Sequence, residues 1–275
     1  MPSSKHPEAY VRLAKPSEYA EVTRVLTRAF AKDPAMNWYA GATEVVDDID
    51  HLTRTAKRHM RHLSWFQEAL VRMTVLVKGI VTVVVVPRPD GKEAQKSASK
   101  DNTISKEEVA AVCLWLPPGK TLDIGLVTVL RSGVLKRVLF EFSPIVEHSV
   151  EKSFKVRGLD RLDSWHLLEI VVDPIHQDKG FCSMLIEEGF HRASPKPIHL
   201  EATTEKSRDI YAHYGFEIDE EHRFGVRQVD KIGVQAKGEA ATGFPEWIMT
   251  KVLPSCYEAS LHSFENVADV QQWST

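Results

Sequence analysis

The chain has 275 residues, of which 43% are hydrophobic, enough for one large domain or two small ones with a real core. With 35 Lys and Arg against 38 Asp and Glu, the formal net charge of −3 gives no basic surface for nucleic acid. The three cysteines (Cys113, Cys182 and Cys256) are too few for a disulfide framework, and the apolar run over 80–86 is too short to span a bilayer. The opening MPSSKHPEAY lacks the apolar core of a secretory signal, so a soluble cytoplasmic protein is expected, with no nucleic-acid or membrane partner and no metal site.

In chain order, YVRLAKPSE reads as a short strand that ends at Lys15-Pro16. Ser17 is placed to cap a helix, with Glu18 and Glu21 in its first turns, where the helix dipole favours acids. Val22, Val25, Leu26, Ala29 and Phe30 follow helical spacing until Asp33-Pro34 breaks the pattern. A second helix is predicted over 45–70, its many basic and histidine residues forming a solvated face. TVLVKGIVTVVVVP, over 74–87, is rich in β-formers and stops at Pro87. The polar segment 88–108 reads as a mobile surface loop within one domain, because strand character resumes at once in VAAVCLWLPPG. Helical periodicity over 122–150 is interrupted at Gly133 and Pro144. There follow a strand ending at Asp173-Pro174, a helix from about Phe181, the strand IHLEAT, a helix over 207–214, a strand from Phe216 and a last strand, EWIMTKV. Interleaved strands and helices predict a single α/β domain over 9–253, with a mixed central sheet and helices on both faces, and a tail over 254–275.

The most informative stretch is LLEIVVDPIHQDKGFCSMLIEEGFHRA, over 167–193. An apolar strand containing Ile170, Val171 and Val172 runs into a turn, Gln177-Asp178-Lys179-Gly180, that opens directly on a helix beginning Phe181-Cys182-Ser183. A helix N-terminus exposes unpaired backbone N–H groups and partial positive charge, and a glycine there lets a ligand approach the main chain. Such a junction suits a pyrophosphate, although it also serves as a plain connector. It is neither a nucleotide P-loop nor a dinucleotide fingerprint, since Gly-Lys-Ser/Thr and Gly-x-Gly-x-x-Gly are both absent.

Gln177-x-x-Gly180-x-Cys182 after LLEIVVDP resembles motif A of the GNAT acetyltransferase superfamily, with Cys182 where the family has glycine or alanine. TTEKSRDIYAHYGFE resembles the family's later motif, with Ser207 and Tyr211 four apart and Gly215-Phe216 closing the helix. VRLAKPSEYAEVTRVLTRAF, AAVCLWLPPG and WIMTKV fit the flanking elements. The layout is similar to small-molecule N-acetyltransferases of the puromycin-resistance type and their fungal relatives. The resemblance implies a splayed strand pair holding acetyl-CoA as co-substrate. The main chain of 170–172 would meet the pantetheine arm, residues 177–183 the pyrophosphate, and Ser207 and Tyr211 the cofactor from the next helix.

Acetyl transfer to an amine needs a base for the amine, stabilisation of the oxyanion and a proton for the departing thiolate. The resemblance assigns Tyr211 as the acid beside the thioester sulfur; a tyrosine packed on the sheet is the plainer reading. SWHLLEIVV offers two bases. An imidazole ordinarily titrates near ~6.5, which suits His166, whereas Glu169 would need burial to raise its carboxyl into that range. The two point to opposite faces of a regular strand, a parity that a bulge would alter. Cys182, at a helix N-terminus, could be a nucleophile if its thiol were acidified, but no adjacent base is evident. Trp38, Phe140, Glu141 and Phe142 could receive a small cationic amine or belong to the core. The expected partners are acetyl-CoA and a small amine, with protein or peptide acetylation and non-catalytic acyl-CoA binding as alternatives; a homodimer is compatible with the sequence.

Overall fold

A computed structural model of the protein describes residues 8–88, 107–122 and 137–253. Its strands are β1 (Tyr10–Leu13), β2 (Ile80–Pro87), β3 (Glu107–Leu116), β4 (Trp165–Val172), β5 (Ile198–Ala202), β6 (Glu217–Phe224) and β7 (Phe244–Lys251). They form one sheet in the order β1-β2-β3-β4-β5-β7-β6. Every neighbouring pair is antiparallel except β4 and β5, which run parallel. The described helices are α1 (Tyr19–Ala29), α2 (Pro34–Ala40), α3 (Arg54–Leu76), α4 (Ser143–Val156), α5 (Phe181–Ala193) and α6 (Glu205–His213).

Alternating side chains give the sheet two apolar faces, and each is covered by helices. On one face Val25 and Leu26 of α1, Leu63 of α3 and Phe154 of α4 pack over Val112, Leu114 and Ile248. On the other, Phe181, Leu185 and Ile186 of α5 and Tyr211 of α6 pack over Trp115, Leu167 and Met249. The α/β class, the mixed sheet and the helices on both faces agree with the sequence reading.

Several local boundaries differ from it, each for a physical reason. Pro16–Glu18 form a 3-10 turn before α1, and Ser17 caps nothing; instead the Glu18 carboxylate accepts from the Lys15 amide at 2.8 Å and from Arg12 at 2.7 Å. Asp33 both ends the preceding segment and starts α2, accepting from the Met36 amide at 3.0 Å. The long helix spans Arg54–Leu76 rather than 45–70, because the Thr53 hydroxyl accepts from the Ala56 amide and the buried stripe continues through Val71, Met73 and Thr74. Residues 74–76, expected in a strand, are therefore helical, and the reversal into β2 falls at Lys78 and Gly79. Arg137–Phe142 form a π-helix that runs directly into α4, and Pro144 lies in the first turn of α4, so the interruption expected there is a change from π to α winding. Of the loop expected over 88–108, Glu107 and Glu108 already belong to β3, where they pair with Pro87 and Val86; Gly133, residues 89–106 and the tail over 254–275 lie outside the described residues.

Candidate active site

The site grows from two irregularities in β4. First, β4 shares only two register pairs with its parallel neighbour: Trp165 with Ile198, and His166 with His199. Beyond them the strands separate and leave a wedge between the halves of the sheet. Second, Leu114 of β3 faces Glu169 while Trp115 faces Leu167, so Leu168 is an extra residue, a bulge. The bulge changes the parity. Leu167 packs with the α5 face, whereas Leu168 and Val171 pack with the α1–α4 face. Glu169 accepts a hydrogen bond from Gln67 of α3 at 3.1 Å, which puts it on the α1–α4 face too. His166 stacks on His199, which itself meets Phe154 of α4. His166 and Glu169, on opposite faces of a regular strand, thus share one.

The turn after β4 is anchored by a buried carboxylate. Asp173 lies 3.4 Å from both Arg24 and Arg28 of α1 and accepts from the Ile175 amide, which explains why the strand stops at Asp-Pro. Asp178 and Gly180 take positive φ values of 62° and 83°, and Gly180 is the N-cap residue of α5 without any side-chain cap. No atom lies within 4 Å of where a Cβ on Gly180 would stand. The first amides of α5 have no acceptor within their own helix, so the turn offers a cluster of donors beside open space.

A cavity of about 1080 Å³ connects this turn with the α1–α4 face. Gln177, Asp178, Gly180, Phe181 and Cys182 line one part, together with Ser207 and Tyr211 of α6. His166, Glu169 and strand residues 170–172 line it too, so most of the residues expected to act together meet in one space. Lys179 is turned to the Ile175 carbonyl and the His176 ring, and Ser183 borders a separate shallow hollow with His213 and Tyr214. The Ser207 hydroxyl caps its own helix, in reciprocal hydrogen bonds with Thr204. Of the suggested acceptor residues, Phe142 lines the cavity, whereas Trp38 is core, Phe140 is exposed and Glu141 reaches Gln228.

Electrostatics separates the roles. Burial pushes the Tyr211 phenol well above its ordinary range, so it stays protonated as a donor. Burial also lifts the Cys182 thiol to about 11, opposite to what a nucleophile needs. The Glu169 carboxyl is pushed up to about 8, mainly by burial, against the hydrogen bond from Gln67. His166 Nε2 lies 2.8 Å from Glu201 Oε2; the neutral tautomer that donates from Nε2 to this carboxylate keeps a lone pair on Nδ1.

Glu201, His199, Asp33 and Glu246 also line this cavity, and sequence reasoning had not singled them out. The alternation in IHLEAT does carry a signal, since His199 and Glu201 are two apart and share a strand face.

The chain is 33% identical over 122 residues to an uncharacterized N-acetyltransferase of Schizosaccharomyces pombe; the match covers 40% of this chain and spans about half, 48%, of that protein. No protein-family model matches. Among solved structures, a Corynebacterium glutamicum protein described as histone acetyltransferase HPA2 and related acetyltransferase superposes with a TM-score of 0.51 at 18% identity, covering 90% of this chain and 97% of that one. Arylalkylamine N-acetyltransferase 2 of Aedes aegypti superposes with a TM-score of 0.50 at 17% identity, covering 90% and 99%. The fold is that of the GNAT acetyltransferases.

Proposed function

We propose that the protein is an acetyl-CoA-dependent N-acetyltransferase that passes the acetyl group directly to the amine of a small molecule. The observation that carries this reading is the wedge between β4 and β5, which begins just past His166 and leads into a cavity lined by Tyr211 and the uncapped α5 turn. The sequence kinship with a yeast N-acetyltransferase supports the same class of chemistry.

In this reading the amides at the start of α5 bind the pyrophosphate, and the free edge of β4 over 170–172 aligns the pantetheine arm. The thioester then lies by Tyr211. His166 Nδ1 takes the amine proton, Glu201 steadies the resulting imidazolium, and the nitrogen attacks the thioester carbon. The tetrahedral intermediate collapses with loss of CoA, whose sulfur takes the Tyr211 proton. Glu169 keeps its own proton at neutral pH, which favours His166 as the base. No covalent enzyme intermediate is required when both substrates are held together, and the high Cys182 value agrees with direct transfer. The apolar walls of Phe66, Leu70 and Phe142 suit the carbon skeleton of a small acceptor. The test is CoA release from acetyl-CoA across a panel of amines and peptides. Turnover with free amines is expected; turnover with peptides alone would transfer the role to protein acetylation, and none with either would leave a binding protein.

A further inference from the structure

The α1–α4 side of the cavity holds more carboxyl groups than one reacting amine requires. Asp33, Glu169, Glu201 and Glu246 all line it, and burial pushes three of them, Asp33, Glu169 and Glu246, above the ordinary carboxylate range. Glu246 is 1% exposed, and neither of its carboxyl oxygens has a hydrogen-bond partner among the described residues. One oxygen of Glu169 is equally unpartnered. Lys32, Lys120, Arg161 and Lys206 line the same cavity, yet among the described residues none forms an ion pair with any of the four carboxyls. A buried carboxylate without a partner is costly, so such a group keeps its proton until a cation from outside enters the cavity and pairs with it. Among the described residues no three such groups are placed to hold a metal ion, so the carboxyls are spaced for something larger.

Their arrangement is linear. Glu201 is engaged by His166 at the reacting end. Two residues on, Thr203 donates to Asp33, and Glu246 follows the last β5–β7 register pair, Ala202 with Trp247, so it stands beside Thr203. Two strand residues cover about 6.6 Å, close to the separation of the nitrogens in a four-carbon diamine. Tyr39, Phe66 and Phe142 supply apolar walls for the methylenes between.

We infer that the acceptor is a linear aliphatic diamine or polyamine, with Glu246 and Asp33 holding its distal ammonium while the proximal amine meets His166. This rests on the acetyl-transfer reading above, and the test separates the two. With acetyl-CoA, kcat/KM is measured for butane-1,4-diamine and for pentylamine, in which a methyl replaces the distal ammonium. The diamine is expected to be preferred at least tenfold, and Glu246→Gln, nearly isosteric, to bring that ratio close to one. Calorimetric titration of both amines into the CoA complex gives a second reading independent of turnover, and melting curves verify that the variant is folded. A diamine preference in binding that depends on Glu246, with no acetyl transferred, would retain the site and remove the transferase reading. Equal use or equal binding of the two amines, binding of neither, or a ratio that survives Glu246→Gln would overturn the inference.

Discussion

His166 and Glu201 face each other across the point where β4 and β5 part, Nε2 to Oε2 at 2.8 Å. The contact fixes the imidazole tautomer and aims Nδ1 away from the carboxylate. If this pair removes the amine proton, His166→Ala should slow turnover by about a hundredfold or more at neutral pH and Glu201→Gln by about tenfold. The double variant should be little worse than His166→Ala alone, since residues acting as a unit are not additive. Fully multiplicative losses in steady-state kinetics would separate the two residues. Loss of the ascending limb of the pH profile in Glu169→Gln instead would move the base to Glu169.

Tyr211→Phe removes one hydroxyl and keeps the ring that packs edge-on against Phe216. Turnover is expected to fall by about a hundred- to ten-thousandfold with cofactor affinity little changed. Wild-type rates in a chemistry-limited assay would reduce Tyr211 to packing.

Gly180→Glu places a negative charge in the open space at the α5 turn and forces a side chain onto a φ of 83°. The variant should lose acetyl-CoA affinity by at least tenfold in calorimetry. A folded variant with unchanged affinity would mean that the pyrophosphate binds elsewhere.

Glu169 makes a prediction about stability. Its carboxyl titrates at about 8 in the folded chain, against an ordinary value of 4.5. Between those values the native state holds a proton that the unfolded state has released, so stability falls as pH rises through this window and levels off above it. At pH 7 the loss is on the order of 3 kcal/mol. Glu169→Gln, which cannot ionise, should therefore gain on the wild type as pH goes from 5 to 8 in denaturant melts. A constant difference across that range would mean that Glu169 is already ionised.

How much of this was legible beforehand depends on how local each signal is. The strand, the Gln177–Gly180 turn and the helix start are contiguous, so their geometry could be read from the order of residues alone. The Asp33–Thr203–Glu246 corner could not, because its members come from α2, the end of β5 and β7, and only the sheet order brings them together. Likewise, no spacing rule announces that Leu168 is supernumerary; that follows from its pairing with β3. Residues 71–76 mislead for another reason. Val71, Thr74 and Val75 favour strands locally, but burial of Val71, Met73 and Thr74 against the sheet keeps them helical.

With only two register pairs between β4 and β5, the sheet is nearly two sheets, one of β1 to β4 and one of β5 to β7. Past His166 and His199, alternate amides on the facing edges lack a strand partner, an interior analogue of an exposed sheet edge. A pantetheine arm laid along β4 would serve as the missing strand, and its seating would knit the halves together. Hydrogen–deuterium exchange should register this. Alternate amides over 168–172 should exchange quickly in the free protein and slow down when CoA is added, while the amides of Thr82–Val85 in β2 and Ala111–Leu114 in β3, which have strand neighbours on both sides, change little. The cofactor would then be a piece of the architecture for as long as it stays bound.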